Sequence, residues 1–357
     1  MSEKALIAMS GGVDSSAAAA VMIKAGYECI GATMRLHNEG ADICSEKSCC
    51  SVDDCEDARS AAYKLGMSYY VFNMQEDFRT EVIERFVSAY EKGLTPNPCI
   101  DCNRYMKFDK LLKRADILGC QLIATGHYAR VEFDENRGRW LLKKAACAAK
   151  DQTYVLYSLT QEQLARTRFP LGDFESKDAV REFAAGLGFN NAQKHDSQDI
   201  CFVPDGDYAS FIERFRSTEF PEGDFISADG KILGRHRGVI RYTIGQRKGL
   251  GLSFGKPMYV CAKSVENNTV TIADESALFS STLTANDFNW ISCEAPSTPI
   301  RVTAKTRYRA KEAPAYAVSN PDGTVTVTFD EPQRAIAAGQ AVVLYDGDIV
   351  VGGGTII

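Results

Sequence analysis

The patterning of this chain predicts an α/β fold, a doubly wound parallel sheet followed by two small β-rich domains, the last an antiparallel barrel. Three observations carry that prediction. Strand-length apolar runs alternate with amphipathic helical segments through residues 4–187. The first of those runs ends in Ser10-Gly11-Gly12 and opens straight into a helix, at the carboxyl end of a strand, where open α/β sheets bind ligands. After residue 205 the texture changes to short alternating runs separated by Gly, Asn and Asp, the mark of small β domains. The expected domains are 1–208, an α/β domain with a helical part, 209–280, a basic β-rich domain, and 281–357, a barrel.

In order, residues 4–9 read as a strand and 14–25 as a helix stopped by Gly26. Cys29 to Leu36 is a second strand, Val52 to Leu65 a helix closed by Gly66, and Ser68 to Asn73 a third strand. Glu76 to Glu91 is an amphipathic helix closed by Gly93, and a basic helix runs from Arg104 to Leu118. Gln121 to Thr125 is a further strand, residues 131–133 and 139–142 form a hairpin, and helices follow at 160–166 and 176–187, the second capped by Ser176. In the second half, strands are expected at 237–243, 258–263, 269–273, 301–308, 315–318, 324–329 and from 341 to the end.

Two adjacent glycines let the backbone of Leu6-Ile7-Ala8-Met9-Ser10-Gly11-Gly12-Val13-Asp14-Ser15 curl so that successive N–H groups face one concavity at a helix N-terminus, where an anion is favoured. No Lys-Ser or Lys-Thr follows the glycines, so this is not a Walker loop. The pattern resembles the pyrophosphatase loop of adenine nucleotide hydrolase-like enzymes, which cleave ATP between its α and β phosphates. Gly126, at the end of a neighbouring strand, allows a base or ribose to come close. His127 beside it suits either acid–base chemistry or packing.

Twelve cysteines in a chain with no charged-then-apolar leader and no apolar run of about 18 residues point to a reducing, cytoplasmic setting, with no membrane span and no disulfide framework. Cys44, Cys49, Cys50 and Cys55 follow no zinc spacing and read as a surface loop. Asn97-Pro98-Cys99-Ile100-Asp101-Cys102 reads as a proline-stiffened loop that delivers Cys102 to a helix N-terminus beside Arg104 and Lys107, where a thiol pKa falls. Cys201 lies in a polar loop but beside Ile200, Phe202 and Val203, so it suits either a reactive or a packing role.

The net charge of −6 argues against indiscriminate nucleic-acid binding. Yet residues 231–265 hold four Lys, four Arg and no acid, which points to phosphate-backbone contact. Arg301, Lys305, Arg307, Arg309 and Lys311 alternate along one expected strand and would share a face.

Taken in one order, the loop, the proline-flanked cysteines, Thr125-Gly126-His127-Tyr128, Lys150-Asp151-Gln152, Asp199-Ile200-Cys201-Phe202 and Tyr242-Thr243-Ile244-Gly245-Gln246-Arg247 resemble the tRNA-specific 2-thiouridylases of the MnmA type, from Ala5 almost to the C-terminus. The resemblance implies an ATP-dependent enzyme, with Mg²⁺ accompanying the triphosphate, that replaces the C2 oxygen of the wobble uridine with sulfur in the glutamate, glutamine and lysine tRNAs. A cysteine desulfurase or sulfur-relay protein would supply the sulfur. It implies that Ala8, Met9, Ser10, Gly11, Gly12, Val13, Asp14, Ser15, Met34 and Gly126 hold ATP. Asn97, Pro98 and Cys99 would meet the target base, and Lys150, Asp151, Gln152, Arg307 and Tyr308 the tRNA. Cys102 would be the nucleophile and Cys201 the persulfide carrier. Some family members carry an acid where Cys99 stands, which leaves the general base open. Cys99, Cys102 and Cys201 could instead ligate a 4Fe–4S cluster with one iron left for sulfide. Two further alternatives are an amide-forming ligase of the same ATP-cleaving superfamily and a non-catalytic RNA-binding protein.

Overall fold

The computed structural model describes residues 2–36, 52–192, 200–203 and 205–357. Cys44, Cys49 and Cys50 and the run from His195 to Asp199 therefore lie outside the described residues.

The first part contains β1 (Lys4–Ala8), α1 (Val13–Lys24), β2 (Glu28–Arg35), α2 (Val52–Lys64) and β3 (Ser68–Asn73). A helix α3 follows in three pieces, Gln75–Phe78, the π-turns Arg79–Ile83 and Glu84–Glu91. Helix α4 is likewise composite: Pro98–Asp101, a π-helical stretch Cys102–Lys110, and Leu111–Ile117. Then come β4 (Leu122–Ala124), the hairpin β5 (Ala129–Asp134) and β6 (Arg139–Lys144), α5 (Gln161–Ala165), β7 (Thr167–Arg168), α6 (Lys177–Gly186) and α7 (Tyr208–Arg216). The parallel sheet runs in the order β3-β2-β1-β4-β7, with Ala5 in register with both Cys29 and Leu122. The order reverses at β1, between β2 and β4, so the chain leaving β1 enters the crevice where such sheets hold ligands.

The second part is a four-stranded sheet of β8 (Gly223–Ser227), β9 (Ile232–His236), β10 (Tyr259–Ser264) and β11 (Thr269–Ala273), in the order β10-β11-β8-β9. The expected strand over 237–243 is absent: Gly238 turns the backbone at φ 96°, and Val239–Arg241 make a 3₁₀ turn that sends buried Val239 and Ile240 into the core. The strands β8 and β9 were not anticipated, because Asp224, Arg235, Gly223 and Gly234 break their alternation.

The third part is β12 (Phe279–Trp290), β13 (Ile300–Lys305), β14 (Ala313–Ser319), β15 (Val325–Arg334), β16 (Ala341–Asp346) and β17 (Ile349–Ile356). They pair in the order β12-β15-β14-β13-β16-β17, and β12 also pairs with β17, closing a six-stranded antiparallel barrel. The hairpin β5–β6 joins this sheet through Lys143 and Ile349, so a strand pair from the first part of the chain extends the last one.

Apolar burial links the three parts. One core cluster unites Leu6, Phe108 and Tyr154 with Val343, Tyr345 and Val350 of the barrel. Another unites Phe78, Phe86 and Met106 with Phe202, Phe211, Phe225 and Val260. Each large side chain so buried contributes about 2–3 kcal/mol, which fixes the domains against one another.

Candidate active site

Gly11 takes φ 75°, and Gly12, the N-cap of α1, has no side chain to occupy the first-turn N–H groups. Those donors therefore remain directed outward, which suits a phosphate. A Cβ on Gly11 would overlap the Asp54 carbonyl oxygen and lie 2.7 Å from the Asp54 Cα, so the turn is pressed against the start of α2. Ser15 Oγ accepts from the Ser10 N–H at 3.2 Å and donates to the Gly12 carbonyl at 2.9 Å, which closes the loop on itself. The Met9 carbonyl accepts from Thr33 Oγ1 at 2.6 Å, and Thr33 in turn accepts from the Tyr69 hydroxyl. Ala8 and Met34 lie at the carboxyl ends of β1 and β2, flanking this loop.

Asp14 is held by two donors. Its carboxylate accepts from the Tyr128 hydroxyl at 2.7 Å and from Lys177 Nζ at 2.6 Å. Asn191 Nδ2 donates to the Gly11 carbonyl at 2.8 Å and to Ser16 Oγ at 3.0 Å. Neither Lys177 nor Asn191 was singled out from the sequence. Lys177 did carry a signal, since a cation in the first turn of a helix opposes the helix dipole and needs a reason.

Gly126 is the second close approach: a Cβ there would lie 2.9 Å from the Asp14 carbonyl carbon and from the Ser15 nitrogen. His127 follows and is buried; burial and the neighbouring Lys107 hold its imidazole well below the usual histidine range. Its Nδ1 is 2.7 Å from Thr125 Oγ1 and its Nε2 3.4 Å from Lys107 Nζ. A neutral ring so placed is a fixed hydrogen-bonding group.

The cysteine segment differs from expectation in one respect that matters. The helix starts at Pro98, not at Arg104. Asn97 is its N-cap, with Oδ1 accepting from the Cys99 N–H at 3.1 Å, and Pro98 occupies the first helical position. An Asn-Pro pair is a helix-start signal that a loop reading of the two prolines overlooks. Cys99 is thus the exposed first-turn cysteine, while Cys102 is the fifth helical residue and partly buried. The Arg104 guanidinium forks onto both oxygens of Asp287 from the barrel. Next to Cys102, burial pushes the Asp101 carboxyl up to about 6, with Arg85 and Arg104 opposing.

Cys201 and Cys102 both pack against the same aromatic cluster. Phe202 anchors the Cys201 segment there, edge-on to Phe86 at 5.2 Å and to Phe78 at 5.9 Å. Among the described residues no three His, Cys, Asp or Glu side chains are grouped as a metal would require, so Cys99, Cys102 and Cys201 do not form a cluster cradle here.

Asp151 and Gln152 hold their own loop. Asp151 accepts from the N–H groups of Ala145 and Thr153 and from Thr153 Oγ1. Gln152 brackets Tyr128, its Oε1 accepting from the Tyr128 N–H at 2.9 Å and its N–H donating to the Tyr128 carbonyl at 3.0 Å. Tyr308, from the barrel, donates to the Asp151 carbonyl at 3.3 Å. Its phenol pKa is raised by burial, then by Asp151 and Cys99, with Lys150 and Arg309 opposing.

The expected basic face on the 301–311 strand is not formed. β13 ends at Lys305, Arg301 forks onto Asp330 at 2.7 and 2.6 Å, and Arg307 turns inward to the carbonyls of Ile244 and Ala335. In the basic stretch, Arg235, Arg241 and Lys256 pair with Asp224, Glu213 and Asp274, acids outside its ends, and Lys263 is half-buried, with its enclosed ammonium's pKa pushed down to about 8 by desolvation. Local charge counts missed these partners because they are distant in sequence or on other strands.

Residues 3–205 match the family described as the tRNA methyl transferase HUP domain, 209–274 its PRC-barrel domain, and 280–356 the aminomethyltransferase β-barrel domain. Two full-length relatives bear the name tRNA-specific 2-thiouridylase MnmA. That of Clostridioides difficile (strain 630) is 50% identical over 356 residues, covering 100% of this chain and 98% of the relative. That of Acetivibrio thermocellus is 52% identical over 356 residues, covering 99% of each.

Proposed function

The chain belongs to the tRNA-specific 2-thiouridylase (MnmA) family, and from that premise we propose how its residues divide the work. The enzyme is an ATP-dependent tRNA-uridine 2-sulfurtransferase. The observation that carries the residue assignment is the contact of Tyr308 of the barrel with the Asp151 carbonyl, with Cys99 and Lys150 in electrostatic reach of that phenol, linked through Gln152 and Tyr128 to Asp14 of the loop. A nucleotide held at the loop and a base held at α4 would then share one crevice.

In this reading the first-turn N–H groups of α1 and residues 8–15 take the phosphates of Mg²⁺-bound ATP, with Met34 and Gly126 at the nucleoside. The uridine O2 attacks the α-phosphorus, the bond to the β-phosphate oxygen breaks, pyrophosphate leaves with the electron pair, and the N3 proton is lost. An amide-like oxygen is a poor leaving group; as part of AMP it is a good one. The terminal sulfur of a Cys201 persulfide then bonds to C2 and AMP departs. Cys102 thiolate attacks the Cys201 sulfur, the persulfide S–S electrons pass to the sulfur on C2, and the two cysteines remain as a disulfide that a cellular dithiol reduces. Asn97, whose Oδ1 serves the cap, has its amide NH₂ for the base, with Pro98 and Cys99 beside it. Tyr308 and Lys150 meet the tRNA, while Asp151, Gln152 and Arg307 shape that surface from within. The wobble position, the glutamate, glutamine and lysine acceptors, a desulfurase or relay donor and a cytoplasmic setting belong to the same reading. Among the described residues no helix is long and apolar enough to cross a membrane.

The test is a nucleoside digest, read by mass spectrometry, of unmodified tRNA incubated with enzyme, Mg²⁺-ATP and a persulfide source, beside Cys201→Ser. Thiouridine that requires ATP and disappears in the variant supports the assignment. Equal thiolation by both proteins removes Cys201 from its role.

A further inference from the structure

We propose that Lys107 is the cation that meets the α-phosphate of ATP while that phosphorus is transferred to the uridine oxygen; the proposal rests on the reading above. Lys107 is half-buried on the π-helical stretch of α4, and among the described residues no carboxylate lies within ion-pair distance of its ammonium. Its ammonium lies 3.4 Å from the Nε2 of His127. Neighbouring cations on the same helix are satisfied: Arg104 by Asp287, Lys110 by Asp77 at 2.6 Å and Lys113 by Asp109 at 2.9 Å. A partly desolvated ammonium held by a neutral ring is electrostatically incomplete, and the missing group is an anion.

The position of that anion follows from two contacts. His127 directly succeeds Gly126, which packs against Asp14 and Ser15 at the entrance to α1. Lys107 is thereby held at the phosphate loop from the side of β4. On its own helix, the π-stretch widens the spiral to roughly 4.4 residues per turn, so positions five apart fall near one face. Cys102 and Lys107 are five apart within that stretch, whereas ordinary α geometry would turn them well away from each other. One helix therefore presents the thiol to the base and the ammonium to the phosphorus. His127 acts as a positioning residue: with the Lys107 ammonium donating to Nε2, the ring proton of the neutral imidazole belongs on Nδ1, which faces Thr125 Oγ1 at 2.7 Å.

A phosphoryl oxygen at Lys107 could come from the nucleotide or from the tRNA backbone, and binding experiments separate the two. AMP carries the α-phosphate without the β and γ groups that the loop would hold, and adenosine carries neither. Calorimetric titration of the full chain with AMP and with adenosine would be run on wild type, Lys107→Met and Lys107→Arg, together with tRNA binding over a range of salt. The expected result is that Lys107→Met weakens AMP about ten-fold or more and leaves adenosine unchanged, with Lys107→Arg keeping most of the AMP preference, as for the loss of one charge-assisted hydrogen bond. Equal weakening of AMP and adenosine would mean a structural role and overturn the proposal. So would an unchanged AMP preference accompanied by a salt slope for tRNA reduced by about one, which assigns the lysine to a tRNA phosphate. Failure of wild type to bind AMP, adenosine or ATP would instead overturn the nucleotide site on which the proposal rests.

Discussion

Lys177 Nζ stands 2.6 Å from Asp14 Oδ2, joining the first residue of α6 to the first turn of α1. The Tyr128 hydroxyl takes the other oxygen of Asp14, so the acid of the loop is fixed from two sides. Lys177→Met should therefore cost about 2 kcal/mol in urea unfolding, from one charge-assisted hydrogen bond in a mostly buried setting. It should also weaken ATP, because Asp14 is freed to swing toward the phosphates. Unchanged stability together with unchanged ATP affinity would show that the pair does not brace the loop.

Gly11→Ala should be worse than an ordinary glycine replacement. The left-handed φ of 75° costs an L-residue about 1–2 kcal/mol, and the new methyl group collides with the Asp54 main chain of α2. The expected outcome is a fall of several degrees in melting temperature and loss of ATP binding, measured by calorimetry. Gly26→Ala, at a φ of 91° with nothing within 4 Å of the added methyl, isolates the backbone cost and should leave ATP binding intact.

Tyr308→Ala should weaken tRNA binding by roughly ten-fold, the scale of one lost stacking platform, without altering ATP affinity. Gln152→Ala should affect both ligands, because Gln152 holds Tyr128, which holds Asp14. Filter binding for tRNA and calorimetry for ATP would separate the two patterns; identical profiles for the two variants would contradict the linkage.

Two partly or fully desolvated groups should give stability opposite responses to acid. Asp101, at about 6 in the native state against 3.8 for the free side chain, binds its proton earlier when folded, so acidification from pH 6 to 4 favours the native state. Asp101→Asn should add roughly 1–3 kcal/mol above pH 6 and nothing below about pH 4. His127 is held neutral, so the unfolded chain takes up the proton first and stability drains away as pH falls below 6.5. His127→Gln should flatten that limb. Urea unfolding of the three proteins between pH 4 and 8 would read both slopes, and parallel curves would reject the assignments.

How much of this was legible beforehand differs by residue. The strand-loop-helix of Leu6 to Ser16 was readable because periodicity, paired glycines and a helix start are local properties, and the sheet built from them is as expected. The start of α4 was also written locally, in Asn97-Pro98, but two prolines invite a loop reading. Arg301 and Arg307 were misplaced because their exposure depends on Asp330 and on the carbonyls of Ile244 and Ala335, which alternation along one strand does not reveal.

The chain's own order of residues determined the alternating strands and helices of the parallel sheet and the anion-binding turn, since these follow from backbone sterics and short-range periodicity. Only the tertiary structure decided which charges remain free. Asp14, Arg104 and Arg307 are taken up by Lys177, Asp287 and two main-chain carbonyls, while Lys107 meets only a neutral imidazole among the described residues. Whether a charge stays available depends on partners distant in sequence, 163 residues away for Asp14 and 183 for Arg104, and burial makes each such pairing decisive.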